Sequence, residues 1–156
     1  MKSASEAICL QEVPDEISLS LAISNCPCRC EGCHSEYLWE DCGRDAFQVL
    51  KVKLNEISEY ITCVLFMGGD DDNQKDSLFE CIEYIKVNYP NLKIALYSGF
   101  YTVDKKILEN LDYLKVGPYI KSCGGLNKKT TNQRMYKINN GNLEDITYRF
   151  QEKPYL

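Results

Sequence analysis

The chain has 156 residues, 44% hydrophobic and 26% charged, the proportions of a globular protein with one substantial core. Its formal net charge of −5 offers no basic field to a nucleic-acid backbone. No run of about 18 apolar residues is present to cross a membrane. Nor does the start show the basic-then-apolar order of a secretion signal, so the expected location is the cytoplasm and neither nucleic acid nor membrane is an expected partner. There are nine cysteines, an odd number, and five fall between positions 26 and 42. That clustering fits metal or cluster binding in a reducing compartment better than a disulfide scaffold.

In chain order, residues 17–24 alternate apolar and small polar side chains and predict a first strand. The ten residues from Asn25 to His34 follow, with four cysteines among them; Pro27 and Gly32 bar a regular element, so this is a loop. Residues 44–60 carry Phe47, Leu50, Leu54 and Ile57 at helical steps. Residues 61–67 form an apolar run ended by Gly68-Gly69, the pattern of a parallel strand covered on both faces. A polar turn, residues 70–73, leads to a second helix with the stripe Leu78, Ile82, Ile85 and Tyr89, ended by Pro90. Residues 92–97 predict a strand closed by Ser98-Gly99. A short helix at 103–111 and a strand at 112–116 closed by Gly117-Pro118 come next. A further strand is expected at 135–138 and a weakly signalled one at 146–150. Cys63 and Cys81 lie inside apolar patterns and read as small core residues.

Strand and helix alternate, and right-handed crossovers then favour a mostly parallel sheet. Four such units are too few for a closed eight-fold barrel of roughly 250 residues. The expected fold is therefore α/β, an open partial (β/α) barrel of mostly parallel strands. It forms one domain over residues 1–156, with its core at about 17–139 and a C-terminal extension at 140–156. Ligands of parallel α/β sheets bind beyond the carboxyl ends of the strands. The four loops expected there are the cysteine loop, Gly68-Gly69-Asp70, Ser98-Gly99 and Gly117-Pro118.

Cys26, Cys30 and Cys33 have the spacing C-x-x-x-C-x-x-C. Three thiolates in a short loop suit a cubane iron–sulfur cluster with one iron left open. The competing reading is a zinc ion, with Cys28, His34 or Cys42 as fourth ligand, although no second cysteine knuckle is present. Gly68-Gly69-Asp70 reads either as a tight turn with an acidic helix cap or as a backbone approach to a ligand whose ammonium group Asp70 receives. His34 reads equally as a packed loop residue and as a backbone ligand contact. Tyr37 and Trp39 read as a lid or as packing around the loop. Lys121, Lys128, Lys129 and Arg134 read as a solvated cationic loop.

The cysteine triplet after the first strand and the Gly-Gly-acid turn after the second resemble the radical SAM superfamily. The chain is most similar to its anaerobic ribonucleoside-triphosphate reductase activating proteins. Trp39, the Gly32-Cys33 pair, residues 111–120 and Thr131-Asn132-Gln133-Arg134 support that resemblance, which covers about residues 17–139. It implies a 4Fe–4S cluster on Cys26, Cys30 and Cys33, whose open iron chelates S-adenosyl-L-methionine. It also implies cofactor contacts at Gly68, Gly69, Asp70, His34 and Ser98, with no catalytic side chain beyond the cluster. The implied reaction is reductive cleavage of the cofactor and formation of a glycyl radical on a large ribonucleotide reductase subunit, with a donor such as reduced flavodoxin. Two departures mark a divergent branch: residues 13–17 replace the family's Asn-Gly-Pro-Gly-like turn, and Asp70-Asp71 stands for its Glu-Pro. The alternatives are a radical SAM enzyme acting on a small molecule and a non-catalytic zinc or thiol module.

Overall fold

A computed structural model of the chain describes residues 1–151. Its strands are β1 (Lys2–Cys9), β2 (Ser18–Ile23), β3 (Arg44–Asp45), β4 (Cys63–Met67), β5 (Lys93–Tyr97), β6 (Tyr113–Val116), β7 (Arg134–Asn139) and β8 (Asn142–Asp145). The helices are α1 (Ala46–Ile57), α2 (Lys75–Asn88) and a single turn, α3 (Lys105–Leu108). All eight strands share one sheet in the order β3-β1-β2-β4-β5-β6-β7-β8.

The centre is parallel: β2 pairs with β4, β4 with β5 and β5 with β6. Both flanks are antiparallel, β3-β1-β2 on one side and β6-β7-β8 on the other. The expected open partial (β/α) barrel of mostly parallel strands is therefore corrected to a mixed sheet with few helices. The physical reason lies on the two faces. Leu19, Leu21, Val64, Phe66, Ile94, Leu96 and Leu114 pack on one face against Leu50, Leu54, Leu78 and Ile82 of α1 and α2. The other face carries Cys63, Leu65, Ala95, Tyr113 and Met135, and it is covered by Val13, Ile146, Leu126 and Phe150 from irregular segments. The inner face is thus filled by loops, and antiparallel strands take both flanks.

The helices form where the apolar stripes predicted. Asp45 caps α1 by accepting from the Gln48 amide at 2.9 Å. In α2, Leu78, Cys81, Ile82 and Ile85 are buried, and the chain leaves the helix at Tyr89 before Pro90. The third helix is shorter than expected, four residues capped by Asp104. Residues 147–150, read as a weak strand, form a 3₁₀ turn. Residues 152–156 of the expected extension lie outside the described residues. Among the described residues no helix is long and apolar enough to cross a membrane.

At the amino edge of the parallel strands, a buried carboxylate ties the centre together. Glu16 accepts from Thr62 Oγ1 at 2.6 Å and Tyr113 Oη at 2.8 Å, and pairs with the Lys93 ammonium. Burial works to raise its pKa, but the bonds from Lys93, Thr62 and Tyr113 hold it below the ordinary glutamate value. The amino edge is thereby locked, and the carboxyl edge is left to the loops.

Candidate functional site

The cysteine loop leaves β2 and returns to β3 through a closed base. Ser24 Oγ donates to the Cys42 carbonyl at 2.6 Å, the Asn25 amide to the Glu40 carbonyl at 3.1 Å, and the Cys26 amide to the Leu38 carbonyl at 2.8 Å. These bonds hold the loop without help from any thiol. Within it the backbone reverses through positive φ at Asn25 (60°), Arg29 (41°) and Gly32 (76°). That route turns the cysteines toward the sheet instead of along a helix.

All nine cysteines are free thiols, and those of the loop are partly exposed. A hydrogen bond from Cys28, helped by the Cys28 and Arg29 amides, brings the Cys26 thiol down to about 6. The Cys33 sulfur accepts the Ser35 amide at 3.3 Å. Cys28 moves the other way, above the ordinary thiol range, because it donates to Cys26 and is partly buried. Cys63 and Cys81 lie in the core as the sequence predicts, and burial pushes each thiol up to about 12.

Three more loops meet the cysteine loop at the same edge, as the strand order predicts. Gly68 and Gly69 follow β4 with φ of 93° and 95°. At φ of 95° a side chain at Gly69 would be strained, so the turn favours glycine there, and a Cβ would also displace the Met1 sulfur 2.7 Å away. Asp70, next in line, accepts the Ser98 hydroxyl at 2.6 Å, which joins the loop after β4 to the loop after β5. Burial raises the Asp70 pKa, and the Ser98 bond pulls against it. Gly99 lies against the Cys28 sulfur. A cleft of about 410 Å³ opens beside Asp70, with Phe100 and Val103 on its far wall.

Lys115 is the residue the sequence reading missed. It sits in β6, its ammonium donates to the Gly117 carbonyl at 3.0 Å, and the Tyr97 ring lies 5.7 Å away. Burial depresses its pKa to about 8, opposed by Cys30, Cys28, Cys33 and Asp70, which face it. The available signal was a lysine inside an otherwise apolar strand, two residues before Gly117. His34 is exposed, with its ring 6.0 Å from that of Tyr119. Tyr37 meets Ser5 across the loop, and the Trp39 carbonyl accepts from Arg29.

The donor set fits a cluster held by cysteine. Cys26, Cys30 and Cys33 would supply soft sulfur ligands, one of them readily ionised and one already accepting an amide hydrogen. The Lys115 ammonium would favour charge on Cys30 and Cys33. Among the described residues no three His, Cys, Asp or Glu side chains are grouped closely enough to hold one metal ion as they stand.

Residues 17–140 match the family model of the 4Fe-4S single cluster domain, and the chain belongs to that family. It is similar to the anaerobic ribonucleoside-triphosphate reductase-activating protein of Enterobacteria phage T4, with 28% identity over 131 residues that span 78% of this chain and 84% of the relative. The resemblance to reductase-activating proteins read from the cysteine loop is borne out at this level. No solved structure is significantly similar to the chain.

Proposed function

We propose that the chain is a radical SAM activase for an anaerobic ribonucleoside-triphosphate reductase. The observation that carries this reading is the meeting at one sheet edge of the cysteine loop, the half-buried Asp70–Ser98 pair and the Lys115 ammonium. Cys26, Cys30 and Cys33 would hold a 4Fe–4S cluster. When bound, such a cluster would supply the electron for reductive cleavage of S-adenosylmethionine, the chemistry needed to form a glycyl radical on the reductase.

The chain's own residues bind and orient. Gly68 and Gly69 let the backbone come close to the methionine part of the cofactor, and Asp70 receives its ammonium group with one oxygen already fixed by Ser98. Lys115 offers a cation to the cofactor carboxylate and to the thiolates. The cleft beside Asp70 gives access from solvent to a protruding substrate segment. The partners are the large glycyl-radical reductase subunit, named by analogy with the phage relative, and a reduced flavodoxin as electron donor.

The test is anaerobic reconstitution with iron and sulfide, then dithionite reduction with S-adenosylmethionine present. About four irons per chain, a paramagnetic signal altered by the cofactor, and release of 5′-deoxyadenosine are expected. One tightly held zinc with no deoxyadenosine would overturn the reading.

A further inference from the structure

The fourth thiol of the loop is not used by this scheme, and its placement gives it a role. Cys28 lies between Cys26 and Cys30 and reaches across to the loop after β5. A Cβ on Gly99 would stand 2.5 Å from the Cys28 sulfur and 3.3 Å from its Cβ, so glycine is what lets the thiol enter. Gly99 follows Ser98, whose hydroxyl is bound by Asp70. The Cys28 sulfur therefore lies against the loop whose Ser98 is tied to Asp70. Cys42 is placed differently: it sits at the loop base, its thiol directed to the Tyr37 carbonyl at 3.6 Å.

We propose that Cys28 is an exchangeable ligand, which holds the fourth iron when S-adenosylmethionine is absent and yields it to the cofactor. This rests on the functional reading above. Three cysteines leave one iron open, and iron takes thiolate sulfur readily. A thiol tethered in the same short loop is present at an effective concentration of about millimolar or more. It therefore competes for that iron. In the exchange the iron–sulfur bond to Cys28 breaks and an iron–nitrogen bond to the cofactor amino group forms. The proton lost by the cofactor ammonium passes to the Cys28 sulfur, and no electron changes hands. The open iron is thus protected until the cofactor arrives.

Protection has a measurable cost in affinity. If the thiol-bound form makes up about nine-tenths of the resting protein, the apparent affinity for the cofactor is weakened about tenfold. The test compares anaerobically reconstituted wild type, Cys28→Ala and Cys42→Ala. Iron content after mild ferricyanide treatment without cofactor is followed, together with S-adenosylmethionine binding by calorimetry. Wild type and Cys42→Ala should keep four irons. Cys28→Ala should lose one, show the paramagnetic signal of a three-iron cluster, and bind the cofactor about tenfold more tightly.

Equal iron retention and equal affinity in wild type and Cys28→Ala would overturn the exchange alone. A Cys28→Ala protein that folds by circular dichroism but assembles no cluster would also overturn it, because the thiol would then be a permanent ligand. If the alanine variant misfolds, the nearly isosteric Cys28→Ser takes its place in the same measurements. Wild type that takes up no cluster would overturn the functional reading, and the exchange with it.

Discussion

Replacing Asp70 by Asn isolates the charge that the site offers to a cofactor ammonium group. Asparagine keeps the shape, and its amide oxygen still accepts the Ser98 hydroxyl, which lies 2.6 Å from the carboxylate in the native site. The loop after β4 should therefore stay in place, and iron uptake should be unchanged. What is lost is the charge of a half-buried anion. A hydrogen bond to a charged partner contributes about 1.5–3 kcal/mol, which converts to a weakening of about 10- to 150-fold. The effect belongs toward the middle of that range, because the carboxylate is only partly shielded from water. Calorimetric titration of S-adenosylmethionine into the reconstituted variant measures it, with iron analysis on the same sample as the control. A variant that holds its cluster and binds the cofactor within about twofold of wild type, well under the 1.4 kcal/mol of a tenfold change, would refute the assignment of Asp70.

Three further perturbations probe the loop, the sheet and its locked edge. Cys30→Ala should abolish cluster uptake yet lower stability in urea by no more than about 0.5 kcal/mol, because backbone bonds close the loop base. Full iron uptake by that variant would remove Cys30 from the ligand set. Gly43→Ala should cost about 3 kcal/mol or more, since φ is 97° and the new Cβ would stand 2.1 Å from the Ser3 carbonyl oxygen. Amide exchange in β1 should quicken with it, and unchanged stability would show that the loop base is free to move. Glu16→Gln should lower stability at pH 7 by about 1–3 kcal/mol, a range kept modest because Lys93 is half exposed. The folded pKa of Glu16 lies below its unfolded value, so the stabilisation is complete above about pH 4.3 and is lost as pH falls through the folded value. Urea midpoints of the two proteins should converge at low pH; a gap that persists there would show that the charge is not its source.

Much of the molecule was legible where a segment is buried on both sides. The apolar runs of β2, β4, β5 and β6 and the stripes of α1 and α2 predicted their elements to within a few residues. Of the flanks only β7 was read, as a strand at 135–138, because the other edge strands face water. In β1 only Ser3 is fully buried, and all four residues of β8 are exposed, so neither stands out as an apolar pattern. The β7–β8 hairpin did carry a signal: Asn140 and Asn140's neighbour Gly141 have φ of 50° and 79°, as a two-residue type I′ turn demands. Missing the antiparallel flanks turned the expected fold into a partial barrel. At the site, the cysteine spacing is local and shows in the sequence. The approach of Cys28 to Gly99 and of Lys115 to the thiols depends on strands that lie far apart in the chain, and no spacing announces it.

The two core cysteines give the protein an internal division of chemical vulnerability. Oxidants and alkylating reagents attack thiolates, and Cys63 and Cys81, fully buried with pKa pushed up to about 12, offer almost none at neutral pH. Exposure to air therefore injures the carboxyl-edge loop while the scaffold that shapes it stays intact. Reversible oxidation of that loop, to sulfenic acid or disulfide, can be undone by a thiol reductant on the folded chain. Iron and sulfide can then be restored without passing through the unfolded state.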